Sequence, residues 1–124
     1  MSDNQPLNNH GLSLLVIHAA DLQQSVQFYR TLGLTFEEHD HLPCGRHYAC
    51  TTGGCVFEIC QRLESHQVGP VTFGFDVSNI GLVYQLAQQS GLQIKRKLES
   101  ASWGRSFSVL DPDGNRVLLT EQSA

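Results

Sequence analysis

The stretch DLQQSVQFYRTLGL, which runs from Asp21 to Leu34, is matched fifty-eight residues later by NIGLVYQLAQQSGL, which runs from Asn79 to Leu92. Each stretch opens with a residue suited to capping a helix, continues with apolar residues at helical spacing, and ends in a Gly-Leu pair. A short alternating apolar run precedes each stretch. The chain therefore contains two copies of one supersecondary unit, and this internal repeat decides the architecture.

The segments that follow each helix complete the two copies. Strand patterns occur in six of them, at residues 34–38, 46–51, 55–61, 92–96, 107–110 and 117–121. Each copy thus has the order β-α-β-β-β, which predicts an α+β fold in a single domain. The first unit spans residues 12–61 and the second spans 70–121, with a linker at 62–69 and a polar tail at 1–11.

Composition argues against several classes of partner. A chain of 124 residues can bury its own core, and its net charge of −4 comes with scattered Lys and Arg residues. We therefore expect no nucleic-acid partner. No apolar run approaches the length of a membrane span and no signal peptide precedes the first strand, so we expect no membrane partner and a cytoplasmic protein.

The four cysteines lie in one segment, at positions 44, 50, 55 and 60, without C-x-x-C spacing. This spacing argues against a zinc ribbon or a thioredoxin-like site. Cys50 and Cys55 flank a turn and could face each other across a hairpin. We expect reduced structural thiols, because free cysteine behaves as a small buried hydrophobic residue.

Three strings on this doubled chain carry a resemblance to a known family: DLQQSVQFYRTLGL at 21–34, WGR at 103–105 and DPDGN at 111–115. In this order they resemble the vicinal oxygen chelate superfamily, which includes glyoxalase I, bleomycin-resistance proteins and extradiol dioxygenases. The resemblance covers roughly residues 12 to 121. It implies a mixed sheet curled around a central cup, and a protein that usually forms a homodimer.

The resemblance also identifies four positions that hold metal ligands in the metal-dependent relatives, all facing the cup. In this chain they fall on Leu14, Glu58, Thr72 and Leu118. A divalent metal needs three or four donors at about 2.0–2.2 Å, whereas this set offers a single carboxylate. Glu121 cannot replace Leu118, because a step of three residues along a strand leads to the opposite face. We therefore expect no metal and no other cofactor.

Glu58 is the strongest candidate for chemistry. It alternates with Val56 and Cys60 on one strand face, so it is predicted to point into the cup. Apolar walls there would raise its pKa unless it is paired, and perturbed groups in clefts are candidates for function. The alternative is an ion pair with one of three arginines, Arg46, Arg105 or Arg116.

Two further candidates lie on the first strand of each unit. His18 shares a strand face with Leu14, at the position where glyoxalase I carries a cavity arginine that binds its anionic substrate. A histidine there could hydrogen-bond a ligand or carry a proton near neutral pH. Asp76 is its counterpart in the repeat. Either residue could instead lie on the rim of the cup without a role.

Trp103 and Arg105 lie on a segment that closes over or lines the cup in the relatives. The indole offers a flat apolar contact and a donor, and the guanidinium could hold a carboxylate or a phosphate. The alternative is a tryptophan that anchors a loop and a solvated arginine. Four other histidines are His39, His41, His47 and His66. No regular element brings three of them together, so they predict at most an opportunistic surface site for a metal.

The sequence thus favours a metal-free small-molecule binding protein of the glyoxalase and bleomycin-resistance type, which sequesters a drug-like molecule or a metabolite. Its expected ligand-binding residues are Leu14, His18, Glu58, Thr72, Asp76, Trp103, Arg105 and Leu118. One alternative is a glyoxalase-related lyase or isomerase that uses Glu58 as a catalytic general base. Another is an atypical metal-dependent enzyme. Fold analogy alone does not choose among them.

Overall fold

The computed structural model describes residues 11–41, 45–64 and 69–122, with only the backbone at residue 41. The first unit comprises β1 (Leu14–Ala19), α1 (Leu22–Thr31), β2 (Glu37–His41), β3 (Gly45–Thr52) and β4 (Cys55–Gln61). The second unit comprises β5 (Thr72–Val77), α2 (Ile80–Gln89), β6 (Gln93–Ala101), β7 (Gly104–Leu110) and β8 (Arg116–Glu121). Residues 1–10 of the predicted tail, the side chain of His41, Cys44 and His66 lie outside the described part of the chain.

Each unit folds into its own four-stranded sheet, with strand order β1-β4-β3-β2 in the first and β5-β8-β7-β6 in the second. β1 runs parallel to β4 and β5 runs parallel to β8, while the other neighbouring strands are antiparallel. The identical order in the two sheets confirms the predicted α+β fold with two β-α-β-β-β repeats.

Both helices begin at a capping side chain and end before a glycine. The Asp21 carboxylate accepts a hydrogen bond from a first-turn amide at 3.0 Å, and the Asn79 side chain accepts one at 3.3 Å. Gly33 and Gly91 have φ values of 104° and 73°, in the left-handed region that favours glycine. Neither helix has the length and apolarity that crossing a membrane requires.

An aromatic cluster joins the two units. The ring of Tyr29 in α1 lies 5.0 Å from that of Phe57 in β4, and the Phe57 ring lies 5.6 Å from that of Phe73 in β5 (centroid distances). Within the second unit, Tyr84 of α2 packs on Phe107 of β7 with ring centroids 4.9 Å apart. Aromatic pairs at these distances stabilise a core beyond the apolar area that they bury.

A hydrogen-bond network fastens the turn after β7 to the first unit. The Asp111 carboxylate accepts hydrogen bonds from the Tyr29 hydroxyl, from the backbone amide of Asp113, and from both the amide and the side chain of Asn115. Asp113 in turn accepts a hydrogen bond from the Ala20 amide at 3.0 Å. Burial, together with the charge of Asp111, raises the pKa of the Tyr29 phenol far above its ordinary value. Tyr29 therefore remains a neutral donor to the Asp111 carboxylate.

Two strand boundaries differ from the prediction. The strand predicted at 34–38 lies at 37–41, because Leu34 and Phe36 instead pack against the core as part of the connection from α1. The strand predicted at 92–96 continues to Ala101 and pairs with β7 in a hairpin. Trp103 therefore lies in the tight turn of that hairpin.

The suggestion that Cys50 and Cys55 face each other was wrong. Cys50 lies opposite Phe57, and Cys55 lies opposite Thr52, because the hairpin register pairs the residues that immediately flank the two-residue turn. Both thiols are free. Burial raises the pKa of the Cys50 thiol, which keeps it protonated and unreactive.

Candidate functional site

Each sheet has one face that packs against the helix of its own unit and one that points away from it. Phe57 and Ile59 of β4 are buried on the helix side of the first sheet, as are Phe107 and Val109 of β7 in the second. The intervening residues of the same strands point the other way, because side chains alternate along a strand. We call this second side of each sheet its open face.

Strand register places two adjacent rows of side chains across the first open face. One row consists of Val16, Glu58, Ala49 and Glu37, each opposite the next on neighbouring strands. The other row consists of His18, Cys60, His47 and His39. Both rows include residues from all four strands, so they form only when the first sheet is complete.

A cleft of about 500 Å³ lies over these rows. Its described lining residues are Thr35, Glu37, His39, His47, Ala49, Thr51, Val56 and Glu58, all from the first unit. The His39 and His47 rings stack with their centroids 5.4 Å apart. His39 Nε2 lies 3.7 Å from Glu37 Oε1, and His47 Nδ1 lies 2.8 Å from the Gly45 carbonyl oxygen.

Glu58 forms no ion pair with any residue in the described ranges. Two of the three arginines considered as partners are engaged elsewhere, since Arg46 pairs with Glu38 and Arg105 with Glu121. The cleft therefore carries two carboxylates, those of Glu37 and Glu58, and no Lys or Arg side chain among its described lining residues.

The four positions that hold a metal in metal-dependent relatives do not form a donor set. Leu14 is 50% exposed and lies with Glu58 on the first sheet, whereas Thr72 and Leu118 lie on the second. One carboxylate and one hydroxyl on different sheets cannot supply the three or more ligands that such an ion needs. Within residues 11–40, 45–64 and 69–122, no three His, Cys, Asp or Glu side chains are grouped to hold a metal. The residues present do not fit the metal of those relatives.

The second open face has an equivalent row with different side chains. Gly74, Leu118, Ser108 and Arg96 take the places of Val16, Glu58, Ala49 and Glu37. The β5 backbone runs so close to β8 that a Cβ on Gly74 would lie 2.9 Å from the Leu118 carbonyl oxygen. Glycine is therefore needed at that position, and β5 contributes no side chain to the row.

Polar and aromatic groups converge around Ser106, two positions from Ser108 on β7. Arg96 Nη2 donates a hydrogen bond to Ser106 Oγ at 3.0 Å, and Trp103 Nε1 donates one to the same oxygen at 3.3 Å. The Arg96 guanidinium lies 6.0 Å from the centroid of the Trp103 ring and pairs with Glu99 at 3.4 Å. This group of side chains brings a cation and an indole to the second open face.

Three further predicted site residues, His18, Asp76 and Arg105, do not line the cleft of the first sheet. His18 lines a cavity of about 280 Å³ between the units, together with Arg62 of the linker. Asp76 lines a cavity of about 410 Å³ beside α2. Arg105 lies on the helix side of the second sheet, where its Nη1 is 3.6 Å from Glu121 Oε2. Within one chain, the structure brings Leu14, His18 and Glu58 to the first open face, and Thr72, Trp103 and Leu118 to the second sheet.

Sequence reasoning missed the residues that most define the two open faces. On the first sheet these are Glu37, His39 and His47, and on the second they are Arg96, Ser106 and Ser108. The alternation of β3 could have placed His47 beside Ala49, once the hairpin with β4 had been predicted. Arg96 could not be placed in this way, because β6 pairs with β7 through register shifts on both sides of it.

Residues 11–119 match the family described as the Glyoxalase/Bleomycin resistance protein/Dioxygenase superfamily. This match spans 109 of the 124 residues of the chain. The chain therefore belongs to this superfamily, as the resemblance implied.

Three relatives illustrate the similarity. A glyoxalase/dioxygenase from Nostoc punctiforme matches with a TM-score of 0.77 and 19% identity, over 100% of this chain and 99% of the other. TnmS3, an antibiotic binding protein from Streptomyces sp. CB03234, matches with a TM-score of 0.75 and 18% identity, over 92% and 97%. An uncharacterized protein of Mycolicibacterium smegmatis is 24% identical over 114 residues, which are 91% of this chain and 95% of that protein. These likenesses establish the fold.

Proposed function

We propose that this protein binds a small organic molecule in the cleft of the first open face, without a metal, and that the molecule carries a positive charge or several hydrogen-bond donors. The observation that supports this proposal is the row in which Glu58 and Glu37 stand on either side of Ala49. The described lining residues include two carboxylates and two histidines but no Lys or Arg, and this combination favours a cation or a hydrogen-bond donor.

The dimensions of the cleft suit such a ligand. Small-molecule sites have volumes of about 300–1,000 Å³, and this cleft has about 500 Å³. Neighbouring strands lie about 4.8 Å apart, so the positions of Glu58 and Glu37 are separated by about 10 Å. The small side chain of Ala49 leaves the space between them open. The similarity to TnmS3, an antibiotic binding protein, agrees with a binding role in this chain.

A matched series of probes tests this proposal. The series is 2-naphthamidine, 2-naphthamide and 2-naphthoate, which share one ring system and differ in charge. We expect 2-naphthamidine to shift the backbone amide signals of Ala49 and Glu58 in NMR titrations. We also expect Glu58→Gln to weaken that binding about tenfold, which corresponds to about 1.4 kcal/mol.

The control is Glu38→Gln, which removes the same charge from the neighbouring position of Glu37 but on the other side of β2. It should leave the affinity for 2-naphthamidine within twofold of the unmodified protein. Equal affinities in all three proteins, or signal shifts confined to the second sheet, would contradict the proposed function.

We further propose that the protein is a twofold homodimer. Leu14 and Val16 are exposed on β1, an edge strand of the first sheet, and Leu12 is exposed just before it. Val71 is exposed just before β5, an edge strand of the second sheet. Apolar side chains grouped along sheet edges are commonly covered by self-association, and closed twofold pairing is its most frequent form.

Light scattering at micromolar concentration should give twice the chain mass of 13.7 kDa. We expect Leu14→Glu to shift the protein toward the monomer, because it places a charge among these side chains. Leu82→Glu on α2 is the matched control, since Leu82 is 48% exposed and Leu14 is 50% exposed. A monomeric mass for the unmodified protein would overturn the proposal.

A further inference from the structure

We propose that the second open face holds a separate site for an organic anion, in which Arg96, Ser106 and Ser108 bind the anionic oxygens and Trp103 packs against a flat apolar group. A carboxylate attached to an aromatic ring has this chemistry. The inference goes beyond the proposed function, because its residues lie on the other sheet and present the opposite charge.

Ser108 is the first observation that points to a ligand. It is 1% exposed, and its hydroxyl has no hydrogen-bond partner. Register places it on the open face between Leu118 and Arg96. A buried hydroxyl without a partner is less favourable than one that forms a hydrogen bond. Because this hydroxyl is buried, an oxyanion supplies the missing acceptor only when the side chains that cover Ser108 move aside.

Ser106 offers a second donor beside it. Its oxygen accepts hydrogen bonds from both Arg96 and Trp103, and neither of those nitrogen groups can act as an acceptor. The Ser106 hydroxyl proton is therefore left to donate, and no residue in the described ranges accepts it. Two buried hydroxyls, two positions apart on β7, thus present protons on one face.

Arg96 supplies the positive charge. Its side chain is 29% exposed, and its orientation is fixed by Ser106 and by the Trp103 ring. Its pairing with Glu99 is long, at 3.4 Å, and more than half of the Glu99 side chain is exposed. Exposed ion pairs are worth little, so an incoming carboxylate can replace Glu99 at small cost and form charge-assisted hydrogen bonds with the guanidinium.

Trp103 indicates what the anion is attached to. It is 58% exposed, although a side chain of this size is usually well buried. The Arg96 guanidinium and the hydrogen bond to Ser106 hold the indole beside the donors. An aromatic ring stacked on the indole would therefore carry its carboxylate toward Arg96 and the two serines.

The same naphthalene series tests this inference, with the indole N–H signal of Trp103 as the NMR reporter in place of the backbone amides. Trp103 is the only tryptophan in the chain, so its indole N–H gives a single NMR signal. We expect 2-naphthoate to shift this signal and to bind at least fivefold more tightly than 2-naphthamide. Arg96→Gln should weaken 2-naphthoate binding about tenfold, whereas Lys97→Gln, the same charge change at the next position of β6, should leave it within twofold.

Ser108→Ala distinguishes a binding role from a structural one. Because it removes a buried hydroxyl that has no partner, it should leave the unfolding midpoint unchanged or raise it. It should nevertheless weaken 2-naphthoate binding severalfold. The inference is overturned if 2-naphthoate leaves the indole signal in place, or if Ser108→Ala and Arg96→Gln bind it as the unmodified protein does. Glu58→Gln should not change this binding, so the two sites succeed or fail independently.

Discussion

The two units share one backbone plan, yet their open faces carry opposite chemistry. The row of Glu58, Ala49 and Glu37 in the first sheet is acidic, and its counterpart of Leu118, Ser108 and Arg96 in the second is apolar and basic. The helix sides remain alike, because both must bury apolar side chains against a helix. In both units the face that packs against the helix is therefore apolar, whereas the side chains of the open face differ between the units.

The two units also differ at the positions where they meet. Tyr29 lies eight residues after the cap of α1, and the equivalent residue of α2 is Ala87, which is equally buried. Asp111 is the first residue after β7, and the equivalent residue after β3 is Gly53. The hydrogen bond from Tyr29 to Asp111 therefore has no symmetric copy. This polar joint links the turn after β7 in the second unit to α1 in the first.

The largest expected effect comes from removing this joint. Asp111→Ala would leave the donors of Tyr29, Asp113 and Asn115 without their buried acceptor. Because each unsatisfied buried group costs about 1–3 kcal/mol, we expect the free energy of unfolding to fall by about 3 kcal/mol or more. Urea denaturation measures it.

The matched control is Asp40→Ala, since Asp40 is an exposed aspartate on β2. It should change the free energy of unfolding by no more than about 0.5 kcal/mol. Equal losses of stability in the two variants would contradict the expectation that Asp111 stabilises the protein through its buried hydrogen bonds.

The sequence predicted the fold well, because the fold depends on local signals that occur twice. The caps at Asp21 and Asn79, the glycines after each helix and the alternating strands are readable without knowledge of long-range contacts. The polar joint at Asp111 could be predicted only in part from the sequence. Its turn was predicted from composition, but a tyrosine eighty-two residues away gives no local sign that it will donate to that carboxylate.

The candidate sites were harder to predict, because they depend on register between strands that are distant in the chain. Alternation placed Glu58 on the correct face of its own strand, yet its partner Glu37 lies two strands away. The expectation of a single cup also assumed that both units contribute to one cavity. The structure instead places Glu58 and Trp103 on the open faces of separate sheets. That both faces contribute to one ligand-binding site remains a prediction.

A smaller effect concerns the pH dependence of the free energy of unfolding. Tyr29 can contribute to it, whereas Ala87, at the equivalent position of α2, has no group that titrates. Burial and the Asp111 charge raise the pKa of Tyr29 in the folded protein, whereas the unfolded phenol titrates near an ordinary value of about 10. The folded state therefore keeps a proton that the unfolded state loses, so stability is fully present below pH 10 and falls as the pH rises further. One such group gives a slope of about 1.4 kcal/mol per pH unit.

Urea denaturation between pH 9 and pH 11 should show this loss, and Tyr29→Phe should reduce its slope because the group that titrates is gone. Tyr84→Phe keeps Tyr29 and should retain the full slope. At neutral pH, Tyr29→Phe should cost less than Asp111→Ala, since Asp111 keeps its hydrogen bonds from Asp113 and Asn115. A slope that is unchanged in Tyr29→Phe would show that another group governs alkaline unfolding and that the polar joint has no part in it.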